Sequence, residues 1–307
     1  MSANGQTEAR QPILVPLDGS ELAERALRYV ALIPSQTVRL LACAPITLSA
    51  ARGRWALDEV PPNGGTWMVS SPADYLDLVC FPLRAQGRDV DVVVAAGKSG
   101  PCIVGASADA DLIVMMTRGH GATRLLVGST SAHVVRHAAV PTLVIRDERR
   151  TAHPLARLVV PLDGSENAEE ALPVARILSQ RLGAALHLVR VVDLGSWTAS
   201  TNDLERDTAT YLERQVARLI DHAGLVTHEV LVPTAGMISE QILSILRPSD
   251  LVVMATQGHG GLKRRLLGSV STSVLERATV PVVLIRATPG KMERAVAGLA
   301  ERSESVG

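Results

Sequence analysis

Aromatic side chains are scarce in this chain: one Phe, three Tyr and three Trp among 307 residues, 2% of the composition, although hydrophobic residues make up 47%. The core must therefore be built from Val, Leu, Ile and Ala, a palette suited to buried parallel strands covered by Ala-rich helices. An excess of either charge is missing too. Lys plus Arg and Asp plus Glu both number 31, so no positive field is present to attract a phosphate backbone, and nucleic-acid partners are not expected. Cysteine is limited to Cys43, Cys80 and Cys102, far apart and without CxxC spacing. They are expected to be inert buried thiols rather than a disulfide framework or a zinc site. No apolar run approaches the length of a membrane span, and Met1 to Gln11 is polar without an apolar signal core. A cytoplasmic protein with no membrane association is the expectation.

What the chain does contain, it contains twice. Val15-Pro16-Leu17-Asp18-Gly19-Ser20-Glu21 returns as Val160-Pro161-Leu162-Asp163-Gly164-Ser165-Glu166. Arg118-Gly119-His120-Gly121 leading to Gly128-Ser129 returns as Gln257-Gly258-His259-Gly260 leading to Gly268-Ser269. Each half then closes on an apolar stretch after a proline, Pro141 to Arg146 and Pro281 to Arg286. Separated blocks recurring in the same order imply two copies of one domain, 1–148 and 149–307, with Asp147–His153 as the linker and an Ala- and Glu-rich helical tail after Ala287. The period is too long for a solenoid.

Each half alternates strand and helix. In the first, Ile13–Leu17, Val38–Ala42, Val90–Ala95, Leu112–Met116 and Thr142–Arg146 are the expected strands. Ser20 is a plausible N-cap for a helix carrying Leu22, Ala26, Leu27, Val30 and Ala31. Ser71-Pro72 opens another, and a third starts near Gly128-Ser129. Pro45 to Ser70, rich in Pro and Gly, reads as a loop or irregular insertion. In the second half the strands are Leu158–Leu162, Ala185–Val191, His228–Val232, Leu251–Ala255 and Val282–Arg286. Helices are expected from about Glu166, Asp203, Ser239 and Ser269, the first kinked by Pro173. The fold class is α/β: two tandem doubly wound domains, each with a five-stranded, mainly parallel sheet flanked by helices in a Rossmann-like architecture.

Ligands in such sheets sit at the carboxyl ends of the strands where strand order reverses. Both repeated blocks fall at such ends. Glycines between a strand and a helix let the backbone approach a ligand closely. The first N–H groups of the helix, aided by the macrodipole and by Ser129 or Ser269, form an anion site that suits a phosphate. The alternative is that the glycines serve only a tight turn and the serine only caps the helix.

These blocks resemble the universal stress protein family, whose domain here occurs in tandem over nearly the whole chain. Nucleotide-binding members carry G-x-x-G, nine residues, then G-[S/T]. The resemblance implies that this loop wraps the phosphates of ATP, accompanied by Mg²⁺, while the Asp after the first strand contacts adenosine and the backbone near Val191 meets adenine. It also implies dimer-like packing of the two domains through their last strands. Laid onto this chain, the pattern gives Ala255, Gly258, Gly260, Gly268 and Ser269, with Asp163 and Val191, in the second repeat. The spacing of nine residues is kept there, and only the first glycine is replaced, by Ala255. In the first repeat Gly119, Gly121, Gly128 and Ser129, with Asp18, are the counterparts, but Met116 replaces the first glycine and only eight residues precede Gly128. The second repeat is therefore the better candidate site. Asp18 and Asp163 have a structural reading as well, as Asx-type turn partners.

Other motifs carry less. His120 and His259 have no orienting Asp, Ser or Cys fixed in the sequence, so they read as loop histidines rather than general bases. Gly97-Lys98-Ser99 resembles the end of a P-loop but lacks its earlier glycine, which is Val92. Trp55, Trp67 and Trp197 are expected to plug hydrophobic gaps. The functional expectation is an adenine-nucleotide-binding regulatory protein of the stress type that switches conformation or protein partner, with slow hydrolysis at most and a homodimer allowed. A nucleotide-free interaction scaffold is the alternative.

Overall fold

The computed structural model describes residues 11–35, 37–44, 71–117, 128–146, 153–192, 201–219, 224–232, 237–256 and 267–286. The Pro45–Ser70 insertion, the three tryptophans, most of the linker and the expected C-terminal helix lie outside these residues.

Runs of Val, Leu and Ile make the central strands, and their burial on both faces fits a parallel sheet sandwiched by helices. The first half runs β1 (Ile13–Leu17), α1 (Glu21–Glu24), α2 (Ala26–Leu32), β2 (Thr37–Ala44), α3 (Pro72–Ala85), β3 (Asp89–Ala96), α4 (Ser99–Ala106), β4 (Leu112–Met116), α5 (Ser129–His137) and β5 (Thr142–Ile145). The second runs β6 (Arg157–Pro161), α6 (Glu166–Glu169), α7 (Ala171–Leu182), β7 (Ala185–Val191), α8 (Thr201–Arg218), β8 (Val226–Leu231), α9 (Ile238–Ser244), β9 (Asp250–Ala255), α10 (Ser269–Arg277) and β10 (Val282–Ile285).

The expected pair of five-stranded sheets is joined into one. Ten strands follow the order β3-β2-β1-β4-β5-β10-β9-β6-β7-β8. Pairing is parallel within each half and antiparallel at the seam, where Val144 faces Val282 and Thr142 faces Leu284. Every residue of β5 and β10 is buried, and one hydrophobic cluster places Val135 and Val144 of the first half among Val252, Val274, Leu275 and Val282 of the second. Two arginines cross the seam reciprocally. Arg146, just after β5, donates to the Leu275 carbonyl near the end of α10 at 3.2 Å. Arg286, just after β10, donates to the His137 carbonyl at the end of α5 at 3.5 Å. Each places a cation where the helix dipole is negative.

The expected kink at Pro173 takes another form. The helix after β6 breaks at Glu170, ahead of the proline, and Pro173 is the third residue of α7, where its missing N–H is one of the orphan donors of a first turn. The first half breaks at the equivalent Arg25 although Arg28 stands where Pro173 does. The backbone stays helical at both breaks, with φ −61° at Arg25 and −57° at Glu170. Arg25 N–H reaches back to the Leu22 carbonyl at 3.1 Å and Arg28 N–H to the Arg25 carbonyl at 3.2 Å. In the first half a single tightened turn separates the two segments; in the second, Glu170 N–H keeps its four-residue bond to the Glu166 carbonyl at 3.2 Å, and the break falls in the turn that Pro173, lacking an N–H, cannot close.

At the amino ends of β6 and β9, Arg157 holds Asp250 in a two-pronged pair, Nε to Oδ1 at 3.0 Å and Nη2 to Oδ2 at 2.6 Å. The Arg247 N–H donates to the same carboxylate at 2.8 Å, so the fully buried Asp250 has partners on both oxygens.

Candidate functional site

In the order β3-β2-β1-β4-β5 the chain moves outward from β1 on one side and then crosses to β4 on the other; β6 and β9 repeat this in the second half. The reversal points therefore lie between β1 and β4 and between β6 and β9, both parallel pairs. Asp163 follows β6 and Ala255 ends β9, so the two repeated blocks meet at the carboxyl edge of adjacent strands.

Asp163 Oδ1 accepts from Ser165 N–H at 2.9 Å and from Ser165 Oγ at 2.6 Å, and Ser165 Oγ in turn accepts from Ala168 N–H at 3.1 Å, capping α6. Asp18, Ser20 and Ala23 repeat the arrangement at 3.1, 2.5 and 3.2 Å. The turn reading of both aspartates is thus present in the structure, and it fixes each carboxylate at its strand end. Gly164 sits at φ 86°, and a Cβ there would stand 3.0 Å from the Arg190 guanidinium. Glycine is needed for both reasons.

Around this turn lie residues that the sequence reading missed. The Arg190 guanidinium rests over the Tyr211 ring, 4.7 Å from its centroid, a cation–π contact. Tyr211 Oη donates to Glu169 at 3.0 Å, Gln215 donates to the same oxygen at 2.9 Å, and Arg218 meets the other oxygen at 3.0 Å. Burial first, and then the nearby Glu169 carboxylate, push the Tyr211 phenol well above its ordinary range. The first half keeps one element of this set: Tyr75 Oη donates to Glu24 at 2.9 Å. Glu24 and Glu169 each stand six residues after the repeated Asp, and two of the chain's three tyrosines meet them. That coincidence in an aromatic-poor sequence was the available signal.

Val191 ends β7. The last rung between β6 and β7 is Leu162 N–H to the Val189 carbonyl at 2.8 Å, while Val192 N–H turns to Leu231 of β8 at 2.8 Å. By strand alternation the main chain of Val191 faces the β6 side, beyond the point where β6 has left the sheet.

The helix starts are Gly128 and Gly268, as expected, and neither α5 nor α10 has a side-chain cap. Ser129 and Ser269 are exposed at the first helical position. The two starts are held differently. Gly268 N–H donates to the Thr256 carbonyl at 2.7 Å, and Ser271 Oγ donates to that carbonyl at 3.1 Å. In the first half, where the spacer is one residue shorter, Gly128 N–H reaches the Thr117 side-chain oxygen instead, at 3.4 Å. Ala255 is buried at the end of β9, and Met116, its counterpart, packs its side chain against the main core. Gly119, Gly121, Gly258 and Gly260, together with His120 and His259, lie outside the described residues. Gly97, φ 138°, precedes α4 in a turn. Among the described residues no group of three or more His, Cys, Asp or Glu side chains is arranged to hold a metal ion, and no helix is long and apolar enough to cross a membrane.

A tandem pair of doubly wound α/β domains, each with an uncapped helix start beside a strand-end Asp-Gly-Ser turn, defines the class. The chain belongs to the universal stress protein family, whose profile matches residues 9–146 and again 155–286. It is 33% identical over 299 residues to a universal stress protein of Mycobacterium bovis, covering 89% of this chain and 96% of that relative. A universal stress protein of Mycobacterium tuberculosis is 28% identical over 291 residues, with 89% and 96% covered. In structure the chain is similar to a universal stress protein from Archaeoglobus fulgidus, with TM-score 0.62 and 22% identity, covering 90% of this chain and 98% of that one. At that identity the likeness speaks for the fold.

Proposed function

We propose that the chain binds an adenine nucleotide, ATP with Mg²⁺, and that the second half holds the better site. The observation that carries the reading is the start of α10. Its N-cap, Gly268, has no side chain to occupy the first-turn N–H groups, Ser269 is exposed there, and the Thr256 carbonyl anchors Gly268 at the β6–β9 reversal point. The N–H groups that follow Gly268 suit the phosphates, Asp163 the ribose, and the main chain of Val191 the adenine edge. Gly258 and Gly260 would complete the cradle over the phosphates. With no metal-holding cluster among the described residues, Mg²⁺ would travel on the phosphates and keep most of its water.

The first half supports a second reading, a nucleotide-free scaffold. Met116 fills the position of a glycine with a side chain that belongs to the core, and the helix start at Gly128 is held by a longer bond to Thr117. Occupancy of one nucleotide per chain rather than two is the expected result. Nucleotide binding by the second half would favour one conformation and so select a protein partner. Turnover would be slow at most, because the sequence supplies no general base with an orienting partner. Homodimers would have to use a surface other than β5 and β10, since each of these last strands already pairs with the other.

Adenine nucleotide released by heating the purified protein, and heat of association in titration with ATP and Mg²⁺, test the reading. Gly268→Val should abolish both while Gly128→Val leaves them. Binding unaffected by Gly268→Val overturns the assignment to the second half.

A further inference from the structure

Two cysteines distant in sequence meet in the fold. Cys43 is the penultimate residue of β2 and Cys102 lies in α4; both are half-buried. Both thiols border the same turn, residues 96–99, between β3 and α4. The surrounding backbone frames the pair: Cys43 Sγ lies 3.9 Å from the Ser99 carbonyl and Cys102 Sγ 3.5 Å from the Ala96 carbonyl. Gly97 N–H ties the intervening turn back to the Ala44 carbonyl at 2.7 Å. Gly97 also makes the space, because a Cβ at that position would stand 3.0 Å from Cys102 Sγ. Cys80 differs: it is wholly buried and its thiol donates within its own helix to Asp77, at 3.0 Å. Among the described residues no group of three or more metal-ligating side chains forms here, and two thiols on one turn suit a redox pair. Of the three thiols expected to be buried, Cys80 alone is fully buried.

We infer that Cys43 and Cys102 form an oxidisable dithiol, a modification site at the carboxyl edge of the first half that hydrogen peroxide closes to a disulfide. Burial, and then the neighbouring Cys102, push the Cys43 thiol up to about 12, so Cys43 stays protonated and the reaction begins at Cys102. The Cys102 thiolate attacks one peroxide oxygen, the O–O bond breaks, and Cys102 sulfenic acid and water result. The Cys43 sulfur then bonds to the Cys102 sulfur. The S–O bond breaks, and its hydroxyl leaves as water with the Cys43 proton. Two thiols and one peroxide thus give one disulfide and two waters.

The bond would staple β2 to α4. By sheet register Cys43 is the counterpart of Val191, because Leu41 faces Pro16 as Val189 faces Pro161. Closure therefore falls where an adenine contact would lie in the first half. That consequence rests on the nucleotide reading; the dithiol does not.

The test treats the full chain with hydrogen peroxide, unfolds and alkylates it, and maps the peptides by mass spectrometry. The expected product is a peptide pair linked through Cys43 and Cys102, lighter by two hydrogens and released by dithiothreitol, with Cys80 fully alkylated. Cys43→Ser should lose the link and accumulate sulfenic acid on Cys102, trapped by dimedone, whereas Cys80→Ser keeps the link. The peptide map of the unsubstituted protein decides the matter even if a variant misfolds. Equal alkylation of all three thiols after oxidation, a link between rather than within chains, or preferential loss of Cys80 overturns the inference. Failure to bind ATP leaves this result untouched, so the two readings are separable.

Discussion

Replacing Gly164 by Ala probes the turn that positions Asp163, and two contributions to its effect can be worked out separately. The first is backbone. Gly164 has φ 86°, a region that costs an L-residue about 1–2 kcal/mol, offset by about 0.4–1 kcal/mol because alanine loses less freedom on folding. The second is steric. The new methyl would stand 3.0 Å from the Arg190 guanidinium, the mobile end of a long side chain that can move only by leaving the Tyr211 ring. Loss of that stacking costs about 0.5–1 kcal/mol more. Gly183 provides the control, since it has φ 62° and nothing within 4 Å of its added Cβ, so Gly183→Ala carries the backbone contribution alone. Urea unfolding with a shared m value reads both. Gly164→Ala should exceed Gly183→Ala by about 0.5–1 kcal/mol, and the excess should vanish when both are measured in an Arg190→Leu background. Equal losses in the unsubstituted background would refute the idea that Arg190 is held between the turn and Tyr211.

Further outcomes follow from contacts of the same kind. Glu169→Ala removes the acceptor of the buried Gln215 as well as of Tyr211 and should cost about 2–3 kcal/mol, against about 1 kcal/mol for Glu24→Ala, which takes one acceptor from Tyr75; chemical denaturation compares the two. Asp250→Ala leaves the half-buried Arg157 guanidinium with the Ile245 carbonyl at 2.9 Å but no counter-charge and should cost about 3 kcal/mol by the same assay; a loss below 1 kcal/mol would show that the carboxylate is not needed there. Burial lowers the pKa of His187 below the ordinary 6.5, against the opposing effect of its hydrogen bond to the Glu229 carboxylate. The unfolded chain then binds more protons than the folded one, so this contribution is present above pH 6.5 and is lost as pH falls. His187→Gln should flatten the fall of urea midpoints below pH 6.5, and an unchanged slope would contradict the shift.

Much of the fold was legible because its signals are local. The five residues Ile13–Leu17 form a strand as their apolar run implies, and the helices after the glycine loops begin at Ser129 and Ser269, where the Gly-Ser pairs put them. Repetition strengthened each assignment, since one half checks the other. What escaped were contacts set by sheet order. Arg190 reaches Tyr211 from β7 to α8, and Cys43 meets Cys102 across a strand and a turn; neither spacing has a periodic signature. The break ahead of Pro173 falls in the turn that a proline disturbs, but its counterpart at Arg25 forms without one and carries no sequence signal. Of the candidate site, the strand-end turns and helix starts could be placed, and the glycines between them remain expectations from the family pattern.

The seam between β5 and β10 fixes a direction as well as a join. Because that pair runs antiparallel while every other runs parallel, the carboxyl ends of the two sets of strands point to opposite margins of a single sheet. The Asp18 turn and the Asp163 turn therefore open away from each other, like doors at either end of a corridor. Among the described residues the halves meet at the paired last strands, the cluster beside them and the reciprocal arginines, so Arg146→Met or Arg286→Met should loosen that join before disturbing either opening.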